Sequence, residues 1–355
     1  MTRVLALLTL VMSCFVTGHA SDPPKPQPVA TLDLSQLLPG WGLGFTQSVA
    51  FVSDTSIAIG VCQRWSGTNC LLSLIRRDGG VLKAYALTSH FGAGMSIHVS
   101  SGGQILTTPV GMFPAVLFSA DLSVAQELPS LRLASRSGKT AVEQKGGRWK
   151  IHQVLPKFEL VREGTGDLEA ISDNVVVLRE ADMISTETLQ RKLLGSFYVR
   201  PKSKCFSIVR LASDDRLYWE DGKGSRMVDF NGKEQLQLHP PKGWGSRQFW
   251  SADGKRLLFD HFDRRISALR NTGEILVAVT TLGLGVGDKQ SNREEVQVLD
   301  TVTGASCFDW KRRFPEGSEA NLSDAAISPS GELVAIAAGG VLSIYRLPAV
   351  CGTNK

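Results

Sequence analysis

An all-β chain built on one repeated unit is what this sequence predicts, and three observations predict it. An apolar run, a serine, a polar or glycine-bearing turn and a β-rich run recur in that order seven times, most plainly in FWSADGKRLLFD, Phe249 to Asp260. Aligned on Ser53, Ser100, Ser135, Ser172, Ser213, Ser251 and Ser328, the copies step by 47, 35, 37, 41, 38 and 77 residues, a period near 40. The last copy has chain for only three strands, whereas a spare strand-like segment, Val29 to Leu34, precedes the first copy. A repeat of this length that buries its faces only against its neighbours is a blade. The expected fold is therefore a single β-propeller of seven four-stranded blades, with the ring closed by the N-terminal strand completing the last blade.

The chain has 355 residues, 43% of them hydrophobic, which is ample for a core, and repeat counting assigns residues 29–350 to one domain. Residues 1–20 have a basic start at Arg3, an apolar run from Val4 to Val16, and Gly18 and Ala20 at the small positions of a cleavage site, so they are expected to be an export signal peptide. The rival reading is a lipobox ending at Cys14. Residues 21–28, SDPPKPQP, contain four prolines and are expected to form an extended leader. No later run of 18 apolar residues offers a membrane span. The net charge is +5, with no run of five like charges, so nucleic acid is not an expected partner.

The blades then follow in order. Blade one, residues 47–88, contains the hairpin SLIRRDGGVLKAY with its turn at Asp78-Gly79-Gly80. Blades two and three occupy 95–128 and 131–163. In blade four, 168–199, the segment STETLQRKLLG reads equally as strand or short helix. Blade five, 205–239, turns at Asn231-Gly232. Blade six, 247–313, is about 35 residues too long, so either it carries an insertion around 264–293 or Ile275 to Gly283 begins an eighth blade. Seven is preferred because the excess has no serine turn. Blade seven takes Ala325 to Leu347 and the strand at 29–34.

SADGKRLLF and SPSGELVAIAAGGVLSIYRL resemble blades of the WD-repeat-like propellers of exported bacterial proteins, and are similar to blades of the periplasmic propeller of the Tol system. The Trp-Asp dipeptide of WD repeats is absent from the ends of the third strands. The resemblance implies a fold and a habit of binding other macromolecules, and a fold does not fix a function.

Chemistry-bearing motifs are sparse. Cys62 and Cys70 bracket a seven-residue loop of blade one and are expected to be disulfide-bonded in an exported protein. A bridge between Cys307 and Cys351 would pin the C-terminus, leaving Cys205 over. The six histidines are scattered, no G-x-S-x-G elbow occurs, and no cysteines have zinc-site spacing. The loop from Gly283 to Glu295 lacks both nucleotide-loop and EF-hand spacing, so no cofactor and no metal are expected. The repeat serines read as turn residues.

More informative is an aromatic residue followed by glycine in three inter-blade connections, at Trp41, Phe91 and Trp244. With Trp65 from the cysteine-bracketed loop, these four are the candidate binding residues. The competing role is that each ring wedges between blades while glycine lets the backbone turn. The expected function is a monomeric, non-enzymatic exported scaffold for a protein, peptide or envelope glycan. A propeller hydrolase or lyase with its site at the channel mouth is the alternative.

Overall fold

The computed structural model describes residues 26–41, 45–62, 69–88, 95–109, 114–131, 133–135, 137–199, 208–221, 224–238, 247–250, 256–263, 270–271, 276–277, 293–301, 303–313, 324–349 and 351. Its strands form seven four-stranded antiparallel sheets and one two-stranded hairpin. In blades one to six the chain steps outward from first strand to fourth. The first strand of blade one, Phe45–Ser53, touches those of blade seven, Asp324–Ile327, and blade two, Met95–Val99.

Blade seven is assembled from both ends of the chain, as the spare N-terminal segment predicts. Asp324–Ile327, Leu333–Ala338 and Val341–Arg346 are followed outward by Ala30–Asp33, with Ala30 opposite Ile344 and Asp33 opposite Val341. The Val29 and Leu34 N–H groups extend the ladder, donating to the carbonyls of Ile344 (2.7 Å) and Gly340 (2.8 Å). Asp33 then caps the one-turn helix Leu34–Leu37, accepting from the Ser35 N–H at 2.9 Å and its hydroxyl at 2.6 Å. These bonds, the hydroxyl's first, hold the Asp33 carboxyl below its ordinary range.

The two ambiguous regions resolve simply. Blade four continues as strand, with Met183–Thr188 and Leu193–Tyr198 joined through a turn in which Arg191 has φ 66°. In blade six, Arg256–Asp263 pairs directly with Arg293–Asp300. Between them, Arg270–Asn271 and Leu276–Val277 pair with each other in a separate sheet, so this segment is an insertion in a seven-blade ring.

Among the described residues there is no single core. Seven apolar clusters occur, one at each junction between neighbouring blades. The second strand of blade one, Ser56–Cys62, shows how the sequence feeds them: Ile57, Ile59 and Val61 pack toward blade seven, while Ala58 and Cys62 pack toward blade two. A strand buried on both faces needs a nearly continuous apolar run, which is why SIAIGVC does not alternate. Glycine matters where blades approach closely: a Cβ on Gly195 in blade four would lie 2.6 Å from the Phe230 carbonyl oxygen of blade five.

The outermost strands are sheet edges, and they are guarded. In blades two and seven they are only four residues long, Ala125–Leu128 and Ala30–Asp33. In blades one, three, four, five and six the outer strand carries a one-residue bulge, the extra residues being Leu82, Val161, Leu194, Gln235 and Cys307. Short strands and bulges both discourage edge-to-edge pairing.

Candidate functional site

Antiparallel alternation divides the molecule into two faces. Turns between first and second strands lie on one; turns between second and third strands, together with the inter-blade connections, lie on the other. The repeat serines occupy the first face. Ser53, Ser100, Ser135, Ser172 and Ser328 each accept hydrogen bonds at Oγ from backbone N–H groups of their own turn, at 3.0 to 3.2 Å. Ser213 instead donates to the Asp215 carboxylate at 2.5 Å. Ser251 lies outside the described residues.

Beside these turns runs a set of bonds between blades that the sequence reading missed. At three junctions among the described residues, the residue two beyond the serine of one blade donates to the residue one beyond the serine of the next. Ser137 Oγ is 2.7 Å from both carboxylate oxygens of Asp173, Asn174 Nδ2 donates to Asp214 at 2.6 Å, and Ser330 Oγ donates to Asp54 at 3.1 Å. The repeated Ser-Asp pairs at 53–54, 172–173 and 213–214 were the available signal. Deeper in the ring, buried Asp324 of blade seven accepts the Val49 N–H of blade one at 2.6 Å, and buried Ser48 accepts the Ile97 N–H of blade two at 3.1 Å. Among the described residues, this face thus carries structural polar contacts between blades at three junctions.

Of the candidate binding residues, Trp41 is described and lies on the other face. Trp41 follows the short helix, its N–H donating to the Leu38 carbonyl at 2.9 Å, and its half-buried ring packs on the cluster joining blades seven and one. That placement gives Trp41 the wedging role, with part of the ring still in solvent. Trp65, Phe91 and Trp244 lie outside the described residues. The strand ends that flank them, at Cys62 and Asn69, Thr88 and Met95, and Leu238 and Arg247, belong to this face.

Cys62 and Cys70 sit opposite each other on the second and third strands of blade one, with Cα atoms 4.0 Å apart and sulfurs at bonding distance. The bridge closes the base of the Trp65 loop and stabilises the fold by about 2.6 kcal/mol on the chain-entropy account. Cys307, the bulge residue of blade six, bonds to Cys351 and ties the C-terminal segment to that edge. Cys205 is outside the described residues, as is the loop at 283–292.

Two histidines bear on acid–base chemistry. His98 lies in the first strand of blade two, 3.4 Å from Thr108 Oγ1, and burial pushes its pKa down to about 4. His152 of blade three is stacked on Phe158 and lies 3.3 Å from Glu143 Oε2; burial lowers its pKa more than the Glu143 contact raises it. They stand on different blades, and among the described residues no group of three His, Cys, Asp or Glu side chains is arranged to hold a metal. No helix among the described residues is long and apolar enough to cross a membrane.

No protein-family model matches the chain, and no curated protein does. Solved structures do. The WD40 β-propeller domain of Doa1 superimposes with a TM-score of 0.53 at 12% identity, covering 92% of this chain and 97% of that one. The fold is the WD40-type β-propeller. A chain of the mitotic checkpoint complex (TM-score 0.52, 11% identity, 92% and 94% covered) and Hsv2 of Kluyveromyces lactis (0.51, 11%, 84% and 91%) have the same fold. At these identities the likeness carries architecture and nothing about this WD40-type ring's own ligand.

Proposed function

We propose that the protein is an exported binding scaffold that presents the face of its inter-blade connections to a protein, peptide or envelope glycan. The observation that carries this reading is the Cys62–Cys70 pair at the base of the Trp65 loop. A disulfide there belongs to an oxidising compartment, in keeping with the signal-like residues 1–20 and the exported propellers the blades resemble. It also holds the ends of an aromatic-bearing loop in place on the same face as Trp41. Rigid aromatic side chains lose little entropy on docking and serve as interface anchors.

The test uses a photo-crosslinking amino acid placed at position 65 in the full chain, expressed in its own envelope, with position 303 on the opposite face as the reference. Adducts are expected at 65 and not at 303, and Trp65→Ala should weaken binding of the adduct partner by more than about 1 kcal/mol without loss of fold. Equal adduct yields at the two positions, or full binding by the Trp65 variant, would remove the reading.

A further inference from the structure

The two histidines whose side chains are described, His98 and His152, stand on different blades but face the same junction, that of blades two and three. On blade two, His98 is opposite Leu106, and a Cβ on Gly138, in the first turn of blade three, would lie 3.4 Å from the Cβ atoms of both. On blade three, His152 is opposite Ala141, and its ring is stacked on Phe158 at 4.6 Å. Ala141 and Phe158 in turn pack with Leu106, Ala115 and Leu128 of blade two. The bond that ties serine turns together at three other junctions has no counterpart here. Its donor position is Gly102, which has no side chain, and its acceptor position is Arg136.

Neither ring is equipped to carry a charge in place. His98 has Thr108 Oγ1 at 3.4 Å, and the described residues of the blade-two wall, from Ser96 and Thr108 to Leu117 and Gln126, include no charged group. On the blade-three wall, Glu143 and Lys150 share the face of His152, Glu163 is opposite Lys150, and Lys139 immediately precedes the strand. Glu143 Oε2 lies 3.3 Å from His152 Nε2, but Nδ1 is buried without a hydrogen-bond partner, so a second ring proton would have no acceptor. Burial is the first cause of the lowered pKa of both rings, about 4 for His98, and at His152 it outweighs Glu143. Each ring therefore takes up a proton more readily in water than between the blades. The closed junction has its full advantage above about pH 6.5 and loses it as pH falls toward 4.

We propose that the junction of blades two and three is an acid-operated seam, at which these two blades part while the rest of the ring stays closed. Parting would uncover Leu106, Leu128 and Phe158, an apolar surface hidden at neutral pH, and would shift the connection at 129–132 that joins the two blades. The next junction shows why the response is local. Between blades three and four the Arg162 guanidinium, which keeps its charge at any working pH, donates to Glu187 at 2.6 Å and to the Thr188 carbonyl at 2.9 Å, and Ser137 is bonded to Asp173. That junction is held by a paired cation already in place, whereas the seam has to admit new, poorly paired ones.

The test is hydrogen exchange of the full chain at about pH 7 and about pH 4.5, with labelling times scaled to the intrinsic exchange rate at each pH. Segments 105–118 and 140–153 report on the seam, and 175–188 in blade four is the reference. Protection of the two seam segments should fall at least about tenfold at the lower pH, and that of the reference should not. The double change His98→Gln, His152→Gln should abolish the difference, with circular dichroism confirming its fold. If that variant does not fold, the imidazole signals of the parent, followed by NMR through the same range, take its place, and both should titrate below about pH 6.5. Equal loss in all three segments, no loss at the seam, the same loss in the folded double variant, or either ring titrating at or above its ordinary pKa would each overturn the proposal. The outcome is independent of the Trp65 test, which concerns a partner and not the ring.

Discussion

The junction between blades seven and one and the junction between blades four and five do the same job with different means. At four and five the chain runs on from one blade to the next. The described contacts there are an eight-residue buried cluster, the tilted Phe197–Trp219 ring pair, one exposed Asn174–Asp214 bond and the close approach at Gly195. At seven and one the chain also runs on, from Ala30–Asp33 through the short helix into Phe45–Ser53, but Ala30–Asp33 is joined to the rest of blade seven by pairing with Val341–Arg346. The buried cluster has fifteen members, Asp324 reaches across to the Val49 N–H, and Ser330 bonds to Asp54. The comparison teaches that the larger cluster and the added polar bonds stand beside the blade whose strands come from both ends of the chain.

Removing residues 21–36 is the strongest way to break that comparison. It leaves blade seven with three strands and uncovers Leu342 and Ile344, so the melting temperature should fall by more than about 10 °C. Removing 21–27 alone should leave it unchanged. A melt of the longer deletion that matched the parent would mean that closure contributes nothing.

Next in size is the Cys307–Cys351 bridge, which closes a loop of 44 residues and should contribute about 4 kcal/mol. Replacing both cysteines with serine and measuring denaturant unfolding tests it. A loss well above the roughly 2.6 kcal/mol expected for the Cys62–Cys70 pair supports the view that the chain end is deliberately tied.

The smallest effect concerns an interior junction. His98 has a folded pKa near 4 against an ordinary value of 6.5, so it binds a proton less readily when folded. Its contribution is fully present above about pH 6.5 and is lost as pH falls through the folded value, amounting to at most about 3 kcal/mol. His152, lowered by the same cause, adds in the same direction. His98→Gln should flatten the stability profile between pH 6.5 and 4; a profile that kept its slope would move the acid sensitivity elsewhere.

Much of the fold was legible because its signals are local. A serine whose hydroxyl serves the next few N–H groups recurs wherever that turn recurs, and the three-stranded last copy together with the spare strand at 29–34 pointed to closure. What was not legible depends on registration between blades. Asp324 reads as part of a polar turn in LSDAA, yet it is buried against a residue 275 positions away. Arg162 reads as a surface charge in ELVREGT, yet its buried guanidinium donates to Glu187 at 2.6 Å and to the Thr188 carbonyl at 2.9 Å. Of the candidate site, the Cys62–Cys70 pair was recovered and Trp41 located.

The closing strand also has a history in time. Ala30 and Ile344 pair across more than 300 residues, so during synthesis from the N-terminus the strand that finishes the ring is made first and used last. For that interval it has to wait without finding another partner. Four residues ending in an aspartate make a poor template, and the prolines at 23, 24, 26 and 28 lack the N–H groups that would lengthen it. Prolines at those positions cannot extend a ladder toward the N-terminus, so the segment open to premature pairing stays short until blade seven arrives to receive it.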